Sequence, residues 1–110
     1  MVLKVYPLSG SIAAGATWTR IAELTTPSRT KRALQELRAW CSATSSVRIR
    51  IYAEKEFIAE LTAENISKYP YPYPMSVTLA EGQTIYVEAN NPTTSSASVI
   101  LELVVDETTA

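Results

Sequence analysis

Residues 32–42 read RALQELRAWCS, and whether they form a helix or a strand decides the fold. Leu34, Leu37 and Cys41 recur at helical spacing, and Thr30 stands where a helix N-cap would stand. Ala, Leu, Gln, Glu and Arg are all good helix formers. Ala33, Leu37, Ala39 and Cys41 also fall at the two-residue period of a strand. The next residues, SATSS at 42–46, make a hairpin-like connection to VRIRIY at 47–52. Local propensity favours helix and context favours strand. We read the segment as a strand and keep the helix as the alternative.

That context is β on both sides. In VRIRIY, Val47, Ile49 and Ile51 face one way, and Arg48, Arg50 and Tyr52 the other. Phe57, Ala59 and Leu61 then alternate with Ile58 and Glu60, so a hairpin turn is expected near Glu54 and Lys55. Met75, Val77 and Leu79 precede AEGQ, where Gly82 supplies a permissive turn residue. Ile85, Val87 and Ala89 form another inward row, closed by Asn90, Asn91 and Pro92. Val99, Leu101, Leu103 and Val105 form the last. Towards the N-terminus, VLKVY at 2–6 reads as a short strand closed by Pro7, and SIAAGA at 11–16 as an edge strand or a turn. TWTRIAEL at 17–24 is a strand with Trp18, Ala22 and Leu24 in phase, and TTPSRTK at 25–31 is a loop. About eight or nine short strands with polar turns indicate an all-β chain. The expected architecture is an antiparallel two-sheet β-sandwich, with a jelly roll as its arrangement, in a single domain over residues 1–110.

Composition narrows the chemistry. The chain has no His and one Cys, Cys41. Ser-His-Asp and Cys-His catalysis, His-containing zinc sites and an intrachain disulfide are therefore excluded. The glycines are Gly10, Gly15 and Gly82, so no phosphate-cradling Gly-rich loop exists. The sole Asp, Asp106, excludes an EF-hand loop. Paired glutamates can hydrolyse glycosides, but Glu54, Glu56, Glu60 and Glu64 read better as solvated turn and edge charges. No enzyme, no metal and no cofactor are expected. A formal charge of −1 gives no general attraction to nucleic acid or anionic membrane. Arg48, Arg50 and Tyr52 on one face would suit a stacking groove for nucleic acid, but neighbouring glutamates can pair the arginines. The N-terminus has no long apolar run of a secretory signal, and no segment is long enough to span a bilayer.

Two features remain. Residues 1–50 hold eight basic side chains and two acidic ones, whereas residues 51–110 hold two basic and nine acidic. Interleaved strands would neutralise this by short-range pairing, whereas separate faces would make a polar assembly surface. The second feature is ISKYPYPYPMSV at 66–77, with three Tyr-Pro pairs. Each proline biases the preceding tyrosine towards extended geometry, which places Tyr69, Tyr71 and Tyr73 on one side. They form either a stiff strap closing the end of the sandwich or a row for stacking sugars or anchoring a partner. Since proline cannot join a sheet centre, the segment is expected to be an ordered strap rather than a core strand. With Arg29, Lys31 and Arg32 of the basic loop SRTKR, these tyrosines are the candidate contact residues.

VRIRIYAEKEFIAEL at 47–61, PMSVTLAEGQTIYVEANN at 74–91 and SASVILELVVDE at 96–107 resemble small jelly-roll domains of viral and phage particles. These include capsid decoration proteins, turret proteins and fibre heads. The resemblance implies a non-enzymatic structural protein of the virion, made in the host cytoplasm. Such domains often assemble as trimers, so the resemblance implies a homo-oligomer placed against other particle proteins such as a major capsid protein. Ile58, Ile100 and Val104, opposite the core, would supply subunit contacts. Few Asn, Gln, Met and Cys residues point to a thermophilic source. Carbohydrate-binding modules share the same strand rhythm. The alternative function is therefore a lectin-like β-sandwich that binds glycan through Tyr69, Tyr71 and Tyr73.

Overall fold

RALQELRAWCS is a strand. In a computed structural model, which describes residues 2–43, 46–63 and 71–109 but not the side chains of 2 and 71–73, all of it but Ser42 lies within β3 (Thr30–Cys41). Its buried residues are Arg32 and Leu34, then Leu37, Ala39 and Cys41. The phase slips because the ladder to the C-terminal strand shifts between Leu34 and Glu36: Leu34 opposes Val105 and Glu36 opposes Val104. Gln35 is the extra residue of a β-bulge, and a bulge resets which side chains face inward. Leu34 and Leu37 are three residues apart, yet both are buried. The helix-like spacing is thus the imprint of the bulge.

Around β3 lie β1 (Val2–Ile12), β2 (Thr19–Thr25), β4 (Arg48–Ala53), β5 (Glu56–Thr62), β6 (Tyr71–Leu79), β7 (Thr84–Asn90) and β8 (Ala97–Thr109). One sheet has the order β1-β8-β3-β6 and the other β2-β7-β4-β5, with every pairing antiparallel. First strand pairs with last, second with seventh, third with sixth and fourth with fifth, which is the wrapping of a jelly roll. The inward rows of both sheets meet in one core. Val47, Ile49, Ile51, Ile85, Val87, Ala89, Val99, Leu101, Leu103 and Val105 are buried as their alternation predicts. Cys41 is in this core, and burial pushes its thiol pKa up. Among the described residues no helix is long and apolar enough to cross a membrane.

Several boundaries differ from expectation, each for a local reason. β1 does not end at Pro7 but runs to Ile12, and the Tyr-Pro segment is not a strap from residue 71 on, because Tyr71–Leu79 is strand β6. Both are edge strands, where one side of the backbone needs no partner and proline is tolerated. The basic loop is shorter than expected, since Thr30, Lys31 and Arg32 already belong to β3. Phe57 does not face the core. Ile51 pairs with Ala59 but Tyr52 with Phe57, so Ile58 is a bulge residue that turns Phe57 out, 54% exposed. Trp18 is likewise out of phase with Ala22 and Leu24, because Ile21 is an extra residue between the pairs Arg20–Glu88 and Ala22–Val87. That bulge lies against Gly10 of the opposite sheet, where a Cβ would come within 2.8 Å of the Ile21 carbonyl oxygen. Only glycine fits this close approach.

One end of the core is closed by a polar cluster. The Glu107 carboxylate accepts hydrogen bonds from Lys4 Nζ at 2.6 Å, Tyr6 Oη at 2.7 Å and Arg32 Nε at 2.9 Å. The Arg32 guanidinium also lies 4.2 Å over the Tyr6 ring and donates to the Thr25 carbonyl. Lys4, then Tyr6, then Arg32 hold the Glu107 pKa down at about 2, from an ordinary 4.5. A carboxylate with a lower pKa folded than unfolded stabilises the fold above its unfolded pKa, and this contribution fades as pH falls through the folded one. Urea melts should therefore lose stability as pH drops from about 4.5 towards 2. In Glu107→Gln that part of the loss should be absent, and an unchanged pH profile in the variant would refute this role.

Candidate functional site

Three adjacent rows of outward side chains on the β2-β7-β4-β5 sheet, fixed by its register, make up the face. The first crosses Asn90, Arg48 and Thr62; the second crosses Arg20, Glu88, Arg50 and Glu60; the third crosses Glu23, Tyr86, Tyr52 and Phe57. Alternation explains the selection. Ile49 and Ile51 face the core, so Arg48, Arg50 and Tyr52 must face out, and Ile85, Val87 and Ala89 do the same for Tyr86, Glu88 and Asn90.

The third row is an aromatic ridge. Tyr52 and Tyr86 stack with centroids 5.1 Å apart and planes 11° from parallel. Phe57 meets Tyr52 edge-on at 5.8 Å. The second row is an alternating charge ladder. Arg50 Nε donates to Glu60 Oε1 at 2.9 Å, and this bond is the first cause that raises the arginine's pKa. Two arginines of this row also stack on rings. Arg20 lies 3.8 Å over Tyr86, and Arg50 lies 3.7 Å over Trp18, which precedes β2. Such contacts hold both guanidinium planes in fixed orientations.

Among the described residues, two shallow hollows flank Arg50 on this face. One of about 370 Å³ is lined by Trp18, Ser46, Arg48, Arg50, Asn90 and Pro92. The other, about 390 Å³, is lined by Arg50, Tyr52, Phe57 and Glu60. They adjoin through Arg50, and each falls within the size range of small-ligand sites. A hollow of about 400 Å³ by the Glu54–Lys55 turn has neither an aromatic ring nor an arginine among its described lining residues. It lacks the stacking chemistry of the sheet face. Among the described residues no three carboxylate or thiol side chains gather to hold a metal ion.

Of the residues singled out from sequence as contacts, the described ones fall elsewhere. Tyr69 lies outside the described residues; Tyr71 and Tyr73 pair with Ala39 and Leu37 along β3, and their side chains are also outside the described set. Arg29 sits in the β2–β3 turn at φ 59°, its N–H donating to Glu81 at 2.7 Å. Lys31 is exposed near the start of β3, opposite Thr108. Arg32 is 5% exposed and committed to Glu107, which leaves it no surface for a partner. Ala39, which pairs with Tyr71, is separated from Arg32 by roughly 20 Å of strand, so the backbone positions of Arg32 and Tyr71 do not fall in one site. Trp18, Phe57 and Tyr86 were missed. The alternation of TIYVEAN marks Tyr86 as outward, but bulges hid the other two.

No family model matches the chain, and no curated protein matches its sequence. Solved structures match its fold. A CBM4 carbohydrate-binding module does so with a TM-score of 0.50 at 12% identity, over 93% of this chain and 84% of that one. The GH26-CBM35 β-(1,4)-mannanase of Podospora anserina does so with a TM-score of 0.53 at 14% identity, over 94% of this chain and 28% of that longer one. These neighbours overturn the expected virion structural protein, and they lend no support to the capsid partner, the homo-oligomer or the particle location. The physical reason is that short alternating strands and tight turns belong to the β-sandwich itself and not to one of its uses.

The ridge makes its own energetic prediction. A Tyr52→Ala/Tyr86→Ala double-mutant cycle in denaturant melts should give a coupling of about 0.5–1.5 kcal/mol. Additive losses would mean that the stack contributes nothing beyond burial.

Proposed function

We propose that the chain is a carbohydrate-binding domain that works without catalysis and holds glycan on the outward face of the β2-β7-β4-β5 sheet. The observation that carries this is the aromatic ridge of Tyr86, Tyr52 and Phe57 beside a ladder of fixed arginines and glutamates. A sugar ring presents C–H groups on its faces and hydroxyls around its rim. The C–H face packs on exposed aromatic rings, and the rim hydroxyls both donate to carboxylates and accept from guanidinium groups. Here the polar groups are held by each other before a ligand arrives, which lowers the ordering cost of binding. Fold likeness to carbohydrate-binding modules supports the same reading.

Binding rather than hydrolysis fits the state of the carboxylates. Glycosidases need two carboxyl groups flanking the bond, one of them free to donate a proton. Glu60 on this face is tied to Arg50 at 2.9 Å. The proposed contacts are Trp18, Arg50, Tyr52, Phe57, Glu60 and Tyr86 rather than the Tyr-Pro run.

Titration calorimetry against soluble polysaccharides, both neutral and acidic, tests this. At least one should bind, and Tyr52→Ala should weaken it by about tenfold or more, as expected for an aromatic anchor. A blank panel, or equal affinity in folded Tyr52→Ala and Tyr86→Ala variants, would remove the proposal.

A further inference from the structure

We infer that the sugar unit held at the Trp18 end of the face is anionic, its carboxylate or sulfate taken by Arg48. This rests on the glycan-binding reading and adds a substrate class to it. The first observation is charge balance. The second row alternates Arg20, Glu88, Arg50 and Glu60 and neutralises itself. Arg48 has neutral neighbours in the ladder, Asn90 on β7 and Thr62 on β5, and no carboxylate within ion-pair distance among the described residues. Among the described residues, Arg48 is the cation of this face without a carboxylate partner.

The second observation is the chemistry of the hollows beside it. The hollow of about 370 Å³ holds two guanidinium groups, the Asn90 amide and the Trp18 ring, with no carboxylate among its described lining residues. A smaller one of about 270 Å³ on the far side of Arg48 is lined by Ser46, Val47, Arg48 and Thr62, again without an acid. The hollow at the aromatic end differs, since Glu60 lines it with Arg50. The face is therefore polar along its length, with a neutral aromatic end and a cationic end. A guanidinium fork matches the two oxygens of a carboxylate or sulfate. The Asn90 amide can donate to the same group, with Trp18 as the apolar wall beside it.

A single-stranded nucleic acid would also bring anions and stackable rings. It fits less well, because polyanion binding draws on several uncommitted cations and Arg20 and Arg50 are paired with Glu23 and Glu60.

The test compares dissociation constants of the full chain for polygalacturonate, a sulfated galactan, a neutral mannan and a thymidine oligonucleotide. An acidic glycan should bind about tenfold or more tightly than the neutral one, and the difference should shrink as salt is added. The carboxylated and sulfated arms identify which anion is read. In Arg48→Gln, at an exposed position whose thermal melt should be unchanged, the ratio of acidic to neutral affinity should fall to near one. Equal binding of acidic and neutral glycans, an unchanged ratio in Arg48→Gln, or tightest binding of the oligonucleotide would each overturn the inference. If neutral glycans bind and acidic ones gain nothing, the glycan-binding reading stands and only this inference fails. If no glycan binds, both fall.

Discussion

Strand phase is the constraint on which this molecule depends. Each strand of the β2-β7-β4-β5 sheet must give one face to the core and the other to solvent, and a slip of one residue would exchange them. The chain meets the constraint with strict alternation and with single extra residues. Gln35 lets both ends of the long β3 bury their apolar side chains. Ile58 turns Phe57 out to join Tyr52, and Ile21 lets Arg20 face Tyr86 while Ala22 and Leu24 pack inward. The bulges that keep the core continuous also complete the aromatic ridge. Core and site are two readings of one pattern.

Electrostatics follows from the same interleaving. A basic first half and an acidic second half could have made two opposed faces. Instead Lys4 and Arg32 meet Glu107, and Arg50 meets Glu60, so three first-half cations pair with second-half acids, while Arg20 and Arg38 pair with Glu23 and Glu36 of their own half. The pairs differ in consequence. Glu107 is 14% exposed and gathers three donors, so its ionisation is coupled to folding. Arg50 and Glu60 are about one-third exposed, and a solvated pair of that kind adds little stability. Its effect is to hold two polar groups still on a surface where a ligand can use them.

Much of the fold was legible from residues. VRIRIY, TIYVEAN and SVILELVV alternate without interruption, and all three strands and their inward rows lie where the period puts them. RALQELRAWCS was ambiguous because a bulge gives apolar spacing that mimics a helix. The Tyr-Pro run reads as a strap because proline argues against a central strand, and that argument is weaker at a sheet edge. The site was less legible. Arg48, Arg50 and Tyr52 were visible as one face, but Tyr86 and Phe57 join them only through strand order, which pairs β7 and β5 with β4. Residues far apart in sequence become neighbours through register, and register is a tertiary property.

The central claim is that glycan meets the outward face of the β2-β7-β4-β5 sheet. Amide chemical-shift mapping during titration with a bound glycan tests it most directly. The largest shifts should fall on Trp18, Arg48, Arg50, Tyr52, Phe57 and Tyr86 and on their neighbours in the ladder. Shifts gathered instead on Tyr71–Leu79, or spread without a focus, would contradict the account.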